Sequence, residues 1–159
     1  MATKAGVGMS RHHNPNVAGR EAAQQALKKA GVERPDFVFM FASIGYDQHS
    51  LLGVVRDTTG GAPLSGCSVE GTIDGDDADE SHFSVLVTAI SSEELQWHNG
   101  LATGLSADSY ALGQRVAQDL LPHLSGLSML GGPRFAMTQI KLCAGQVDQG
   151  RKRAAVQGI

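Results

Sequence analysis

Six consecutive apolar residues, Phe37-Val38-Phe39-Met40-Phe41-Ala42, stand between Pro35 and Gly45. A strand with one wet face alternates apolar and polar side chains. This run does not alternate, so both of its faces have to be covered. It is also far too short to cross a bilayer, which takes about 20 apolar residues in a helix. A strand buried on both faces belongs inside a sheet that helices flank, and this places the chain in the α/β class.

The neighbouring segments supply those helices. Asn14 is a helix cap, with Pro15 at the first helical position. Ala18, Ala22, Ala26 and Ala30 follow at every fourth residue beside Leu27, which makes one apolar face, and Gly31 supplies the stop. Asp47 caps a second helix with Leu51, Leu52, Val54 and Val55 inward. Lys4–Ser10 and Ala62–Ser68 read as short strands, with Val69–Ile73 extending the latter or pairing beside it. Asp74–Glu80 is a polar turn, and Phe83–Ile90 is another buried strand. The expected architecture is a mixed, mostly parallel sheet, βαβαβ followed by an antiparallel hairpin, with helices packed on it. Residues 91–105 read as a polar connection. Ser106 caps a last helix with Tyr110, Ala117, Leu120, Leu121 and Leu124 inward.

Beyond Gly126 the periodicity fades, so the expected organisation is a domain over residues 1–126 and an irregular tail over 127–159, truncated or out of frame. The tail holds five basic residues against one acidic. The body holds eight basic against fifteen acidic, which argues against nucleic acid as a partner, because phosphate binding needs basic surface. No membrane segment is expected. Met1–Gly6 lacks the hydrophobic stretch of a secretion signal, and Cys67 and Cys143 form no disulfide framework. The expected compartment is the reducing cytoplasm.

Three strands end alike, at Gly8-Met9-Ser10, Phe41-Ala42-Ser43 and Gly66-Cys67-Ser68. Parallel strands bring such ends to one edge, where open α/β sheets bind their ligands. The helices that follow begin at Asn14 and Asp47, and their free N–H groups favour a carboxylate there. The candidate ligand-binding residues are Ser10, Arg20, Ser43, Tyr46, Cys67 and Ser68. Ser43 and Ser68 would donate hydrogen bonds, Arg20 would supply charge, and Tyr46 would cover the ligand. The plainer account is that Ser and Gly end strands because turns need them.

Other chemistries fit less well. Gly6-x-Gly8-x-x-Arg11 lacks the third glycine of a dinucleotide fingerprint, and no acidic residue ends the second strand to hold a ribose. Cys67 could be a nucleophile with His12, His13 or His49 as base, though a small buried cysteine explains it as well. Ser68 lacks the Gly-x-Ser-x-Gly elbow. The six histidines form no His-x-x-x-His pair, and residues 74–80 depart from the calcium-loop template, so no metal is expected. Haem needs one axial histidine and an apolar pocket, and it stays open as an alternative cofactor.

The series Gly6-Val-Gly-Met-Ser10, Ala18-Gly-Arg-Glu-Ala-Ala23, Phe41-Ala-Ser43, Tyr46-Asp47 and Leu51-Leu52 resembles the N-terminal FIST sensory domain. The resemblance continues through Pro63-Leu-Ser-Gly-Cys-Ser68, Glu70-Gly71 and Asn99–Leu105, and covers about residues 4–125. It implies a non-enzymatic intracellular signal-transduction domain that binds a small ligand such as an amino acid. It implies kinase, cyclase or chemoreceptor outputs as partners. Some relatives sense nitric oxide through haem. The pattern departs from the family at Ser68-Val69-Glu70 and stops near Gly126.

Overall fold

The computed structural model describes residues 3–93, 95–103, 107–124 and 135–143. They fall into two compact units that divide after Glu93. The first unit contains β1 (Lys4–Ser10), α1 (Pro15–Ala30), β2 (Phe37–Ser43), α2 (Gln48–Thr58), β3 (Leu64–Val69), β4 (Thr72–Asp74), β5 (Asp77–Asp79) and β6 (Val85–Ser91). The second contains β7 (Leu95–Thr103), α3 (Ser109–Leu124) and β8 (Phe135–Cys143).

Helix α1 has the expected ends. The Asn16 N–H donates to the Asn14 side chain at 2.9 Å, and Gly31 stops the helix in the left-handed region at φ 67°. Only glycine adopts that region without strain. Lys28 and Lys29 in the last turn complement the helix dipole. Ala18, Ala22, Ala23 and Ala26 are wholly buried. Methyl groups are short, so this face lets the helix backbone lie directly on β1. A Cβ at Gly6 or Gly8 would collide with the α1 backbone at Ala26 and Ala30, or at Ala22 and Ala26. The Gly6-x-Gly8 pair is therefore a seat for a helix.

The four-stranded sheet has the order β1-β6-β2-β3. The α/β class and the mixed sheet stand, but the strand pairing needs correction. Within this sheet β2 and β3 are the parallel pair, and β6 lies between β1 and β2, antiparallel to both. The reason is in the connection. No helix follows β3 to carry the chain back, so β6 starts at the edge where β3 ended and must run the other way. It takes a central place because Val85, Leu86, Val87 and Ala89 are buried on both of its faces. Strand β3 exposes Cys67 and Ser68 and stays at the margin. The core over one face joins Val38, Met40, Ala42, Val85, Val87 and Ala89 with the alanines of α1 and with Leu51 and Val55 of α2. Each large apolar side chain buried there contributes about 1.5–3 kcal/mol. The Val69–Ile73 segment, expected to extend β3 or pair beside it, instead leads into β4, which pairs with β5 across the Asp74–Asp77 turn.

The second unit corrects two further expectations. Residues 95–103, expected as a polar connection, form β7, and the segment expected as an irregular tail contains β8, paired in parallel with β7 from Leu95–Phe135 to Thr103–Cys143. Ser106 lies outside the described residues. The Ala111 N–H donates to the Asp108 side chain at 2.9 Å and caps α3. Leu112, Val116 and Leu120 face β7, where Gly100 leaves room for Val116 and Leu120. Tyr110 and Leu121, expected inward, are 76% and 58% exposed, and Ala117 is exposed too. The Leu124 side chain lies outside what is described.

Candidate functional site

Strands β1 and β2 both run antiparallel to β6, and β3 runs parallel to β2. All three carboxyl ends therefore lie at one edge, as the sequence implied. The inserted β6 spaces them apart. With strands about 4.8 Å apart, Ser10 and Ser43 stand about 10 Å apart, and Ser68 lies one strand further on.

Ser10 ends β1 on the side that α1 covers, where its hydroxyl donates to Glu21 Oε2 at 2.6 Å. The His12 N–H donates back to the Ser10 hydroxyl at 3.3 Å. Arg20, expected to supply charge to a ligand, is exposed, and its neighbour Glu21 is the residue that bonds Ser10. Ser43 is buried and tied to Ser84. Its hydroxyl accepts the Ser84 N–H at 2.8 Å and faces the Ser84 carbonyl, to which the Ser43 N–H donates at 2.8 Å. The Ser84 hydroxyl in turn meets that of Thr72, which also reaches Met9 Sδ at 3.3 Å.

Tyr46 is buried at 5% exposure, and its hydroxyl donates to the His12 carbonyl at 3.0 Å. Its ring stands edge-on to Phe83, and the His13 ring stacks on the same Phe83 at 4.5 Å. One phenol thus joins the loop before α1 to the loop before α2. Burial, and then the negative charges of Asp79 and Glu21, push the Tyr46 hydroxyl up to about 12. The group stays neutral and donates a hydrogen bond at every ordinary pH.

Helix α2 is capped by Asp47, which accepts the Ser50 N–H at 2.7 Å. Hydrogen bonds from Ser50 hold its carboxyl below the usual range. Cys67 is an exposed free thiol next to exposed Ser68. His12 Nδ1 accepts the Asn14 N–H at 3.0 Å, which occupies one of the two nitrogens that base chemistry could use. Among the described residues, no three His, Cys, Asp or Glu side chains converge as a metal site.

Several residues at this edge escaped the sequence reading. Arg11 follows Ser10, and its Nη2 and Nε pair with Asp77 at 2.7 Å and Asp79 at 2.5 Å. Away from this edge, Lys29 in the last turn of α1 reaches Asp74 at 3.4 Å. The two aspartates, Asp77 first, raise the Arg11 guanidinium further. The Ser81 N–H and then Arg11 hold Asp79 low against the cost of burial. The acidic run was visible in the sequence, but its basic partners lie at least 45 residues away and carry no local signal.

The FIST N domain profile matches residues 36–149, extending past the expected limit at 126. No curated protein matches the chain. Among solved structures, an empty FtsZ dimer of M. jannaschii is similar at 13% identity and TM-score 0.34, covering 57% of this chain and 26% of that one. This chain thus spans about a quarter of that protein. An FtsZ-like protein of unknown function from Nostoc punctiforme is similar at 14% identity and TM-score 0.25, covering 57% and 89%. Among the described residues, no helix is long and apolar enough to cross a membrane.

Proposed function

Because the chain belongs to the FIST N domain family, a family of sensory signal-transduction domains, we propose that it senses a small ligand, an amino acid or similar carboxylate, at the carboxyl edge of its sheet. The observation that carries this reading is the common direction of β1, β2 and β3, which gathers Ser10, Ser43, Cys67 and Ser68 with the first turns of α1 and α2. The helix dipoles favour a carboxylate at this edge, where Asn14 takes up the first-turn N–H groups of α1 and Asp47 those of Ser50 and Leu51 in α2. Ser68 offers an exposed hydroxyl at the end of β3, with the exposed Cys67 thiol on the opposite face of that strand, and Arg20 offers an exposed cation. Ser10, Ser43 and Tyr46 act from beneath, as the bonded frame that fixes both loops. In this reading Tyr46 shapes the floor of the crevice. The domain acts in the cytoplasm, has no catalytic step, and hands its state to a kinase, cyclase or chemoreceptor output.

A thermal-melt screen against amino acids, small carboxylates and haemin tests the reading. A ligand at about 100 times its Kd adds roughly 2.7 kcal/mol, enough to raise the midpoint by several degrees. A selective shift by one carboxylate class, lost in Ser68→Trp while the variant still melts cooperatively, is the expected result. An unchanged shift in that variant places the site elsewhere. A Soret band after haemin and gel filtration favours a haem sensor instead.

A further inference from the structure

The β4–β5 hairpin is attached in an unusual way. Its ladder has three residue pairs, Thr72–Asp79, Ile73–Ala78 and Asp74–Asp77. Thr72 is its buried residue, while Ile73 is 72% exposed and Ala78 is exposed as well. An isolated two-stranded hairpin of this size is not stable in water. The hairpin turns at Gly75 with φ 63°, and Gly71 precedes it. What holds it down is charge. Asp77 and Asp79 share the Arg11 guanidinium, and Asp74 meets Lys29. Both cations belong to the β1–α1 layer, and Arg11 directly follows Ser10.

We propose that Ile73–Asp79 is a strap over the Ser10–Tyr46 end of the crevice, pivoting at Thr72 and latched by Arg11. The pivot is the Thr72 hydroxyl, which meets Ser84 and Met9. The Arg11–Asp77 pair is exposed, with side chains about half accessible, and opens at small cost, whereas the Asp79 side chain is 10% accessible and holds the inner half of the latch. Asp79 pairs with Arg11, and the Tyr46 hydroxyl donates to the carbonyl of the next residue, His12, so latch and phenol hold the same stretch of chain after β1. A sensory domain needs an element with two arrangements that a ligand can bias, and the strap is that element. Its use in signalling rests on the small-ligand reading above, whereas its motion does not.

Amide hydrogen exchange of the full chain without ligand tests the latch, comparing wild type, Arg11→Gln and Asp77→Asn. Exchange across residues 73–79 is expected to quicken roughly tenfold in Arg11→Gln, as two pairs to one guanidinium are lost together. Amides of Val38–Ala42 and Val85–Ala89 are expected to keep their protection. In 1 M NaCl, where charges are screened beyond about 3 Å, the wild-type strap is expected to approach the variant, and the variant to change little. Strap exchange at the wild-type rate in both variants overturns the proposal, as does an equal gain across β2 and β6. The salt series on wild type decides the matter if the variants fail to fold. A strap that opens while no carboxylate shifts the melt keeps the latch and overturns the ligand reading.

Discussion

Gly8 of β1 and Ala22 of α1 touch backbone to backbone: a Cβ on Gly8 would enter the Ala22 carbonyl oxygen. Neither main chain can yield without moving the whole helix. Gly8→Ala is therefore expected to destabilise the fold by about 3 kcal/mol, at the upper end of overpacking costs. Gly53→Ala, at an exposed position of α2 with open space around it, is expected to stabilise by about 0.5–1 kcal/mol. Urea melts of the two variants check both signs, and equal midpoints would refute the close approach.

Tyr46 couples stability to alkaline pH. The folded phenol titrates at about 12 against 10.0 for the free group. The stability it contributes is complete below pH 10 and is lost as pH rises through about 12. Tyr46→Phe is expected to flatten this loss. It also removes the bond to the His12 carbonyl, worth about 0.5–1.5 kcal/mol at neutral pH. Ultraviolet titration of tyrosinate, read against pH-dependent melting, checks both effects.

Asp79 couples stability to acid. Its carboxyl is held low by the Ser81 N–H and by Arg11, with Asp77 and Tyr46 as its other neighbours. The stability it contributes is present above the unfolded aspartate value and fades as pH falls through the lower folded one. Asp79→Asn is expected to flatten that limb of the pH–stability curve, as followed by chemical denaturation. An unchanged limb would show that Asp79 gains nothing on folding.

Cys67 is exposed at the end of β3. It is expected to react fully with iodoacetamide in the folded state, under conditions where the melt is unchanged. Peptide mass mapping identifies the modified thiol. A carboxylate that raises the melting midpoint is expected to slow alkylation there at least several-fold. A ligand that stabilises the fold without protecting Cys67 would sit away from the Cys67 face of β3.

Local signals were enough for α1, β2 and α2. Asn14 with Pro15, the alanine repeat, Gly31, the Phe37–Ala42 run and the Asp47 cap each act within one or two turns of chain. The shared edge for Ser10, Ser43 and Ser68 was legible for the same reason, since helical crossovers return strands in the same direction. The bonds made at that edge were not. Ser43 meets Ser84 across 41 residues and Arg11 meets Asp79 across 68. Such partners are chosen when β6 inserts between β1 and β2.

Helix α3 shows the same limit from another side. Apolar residues surround much of its circumference, so periodicity alone allows Tyr110–Ala117–Leu121 or Leu112–Val116–Leu120 to face inward. Strand β7, with Gly100 leaving room, selects the second. The sequence by itself determined β1, α1, β2, α2, β3, β6 and α3 and that they build an α/β domain, because caps, glycines and apolar runs act over short distances. Only the tertiary structure decided the β7–β8 pair, the strand order, the buried face of α3 and the ion pairs of Arg11 and Lys29, because those depend on which distant surfaces come together.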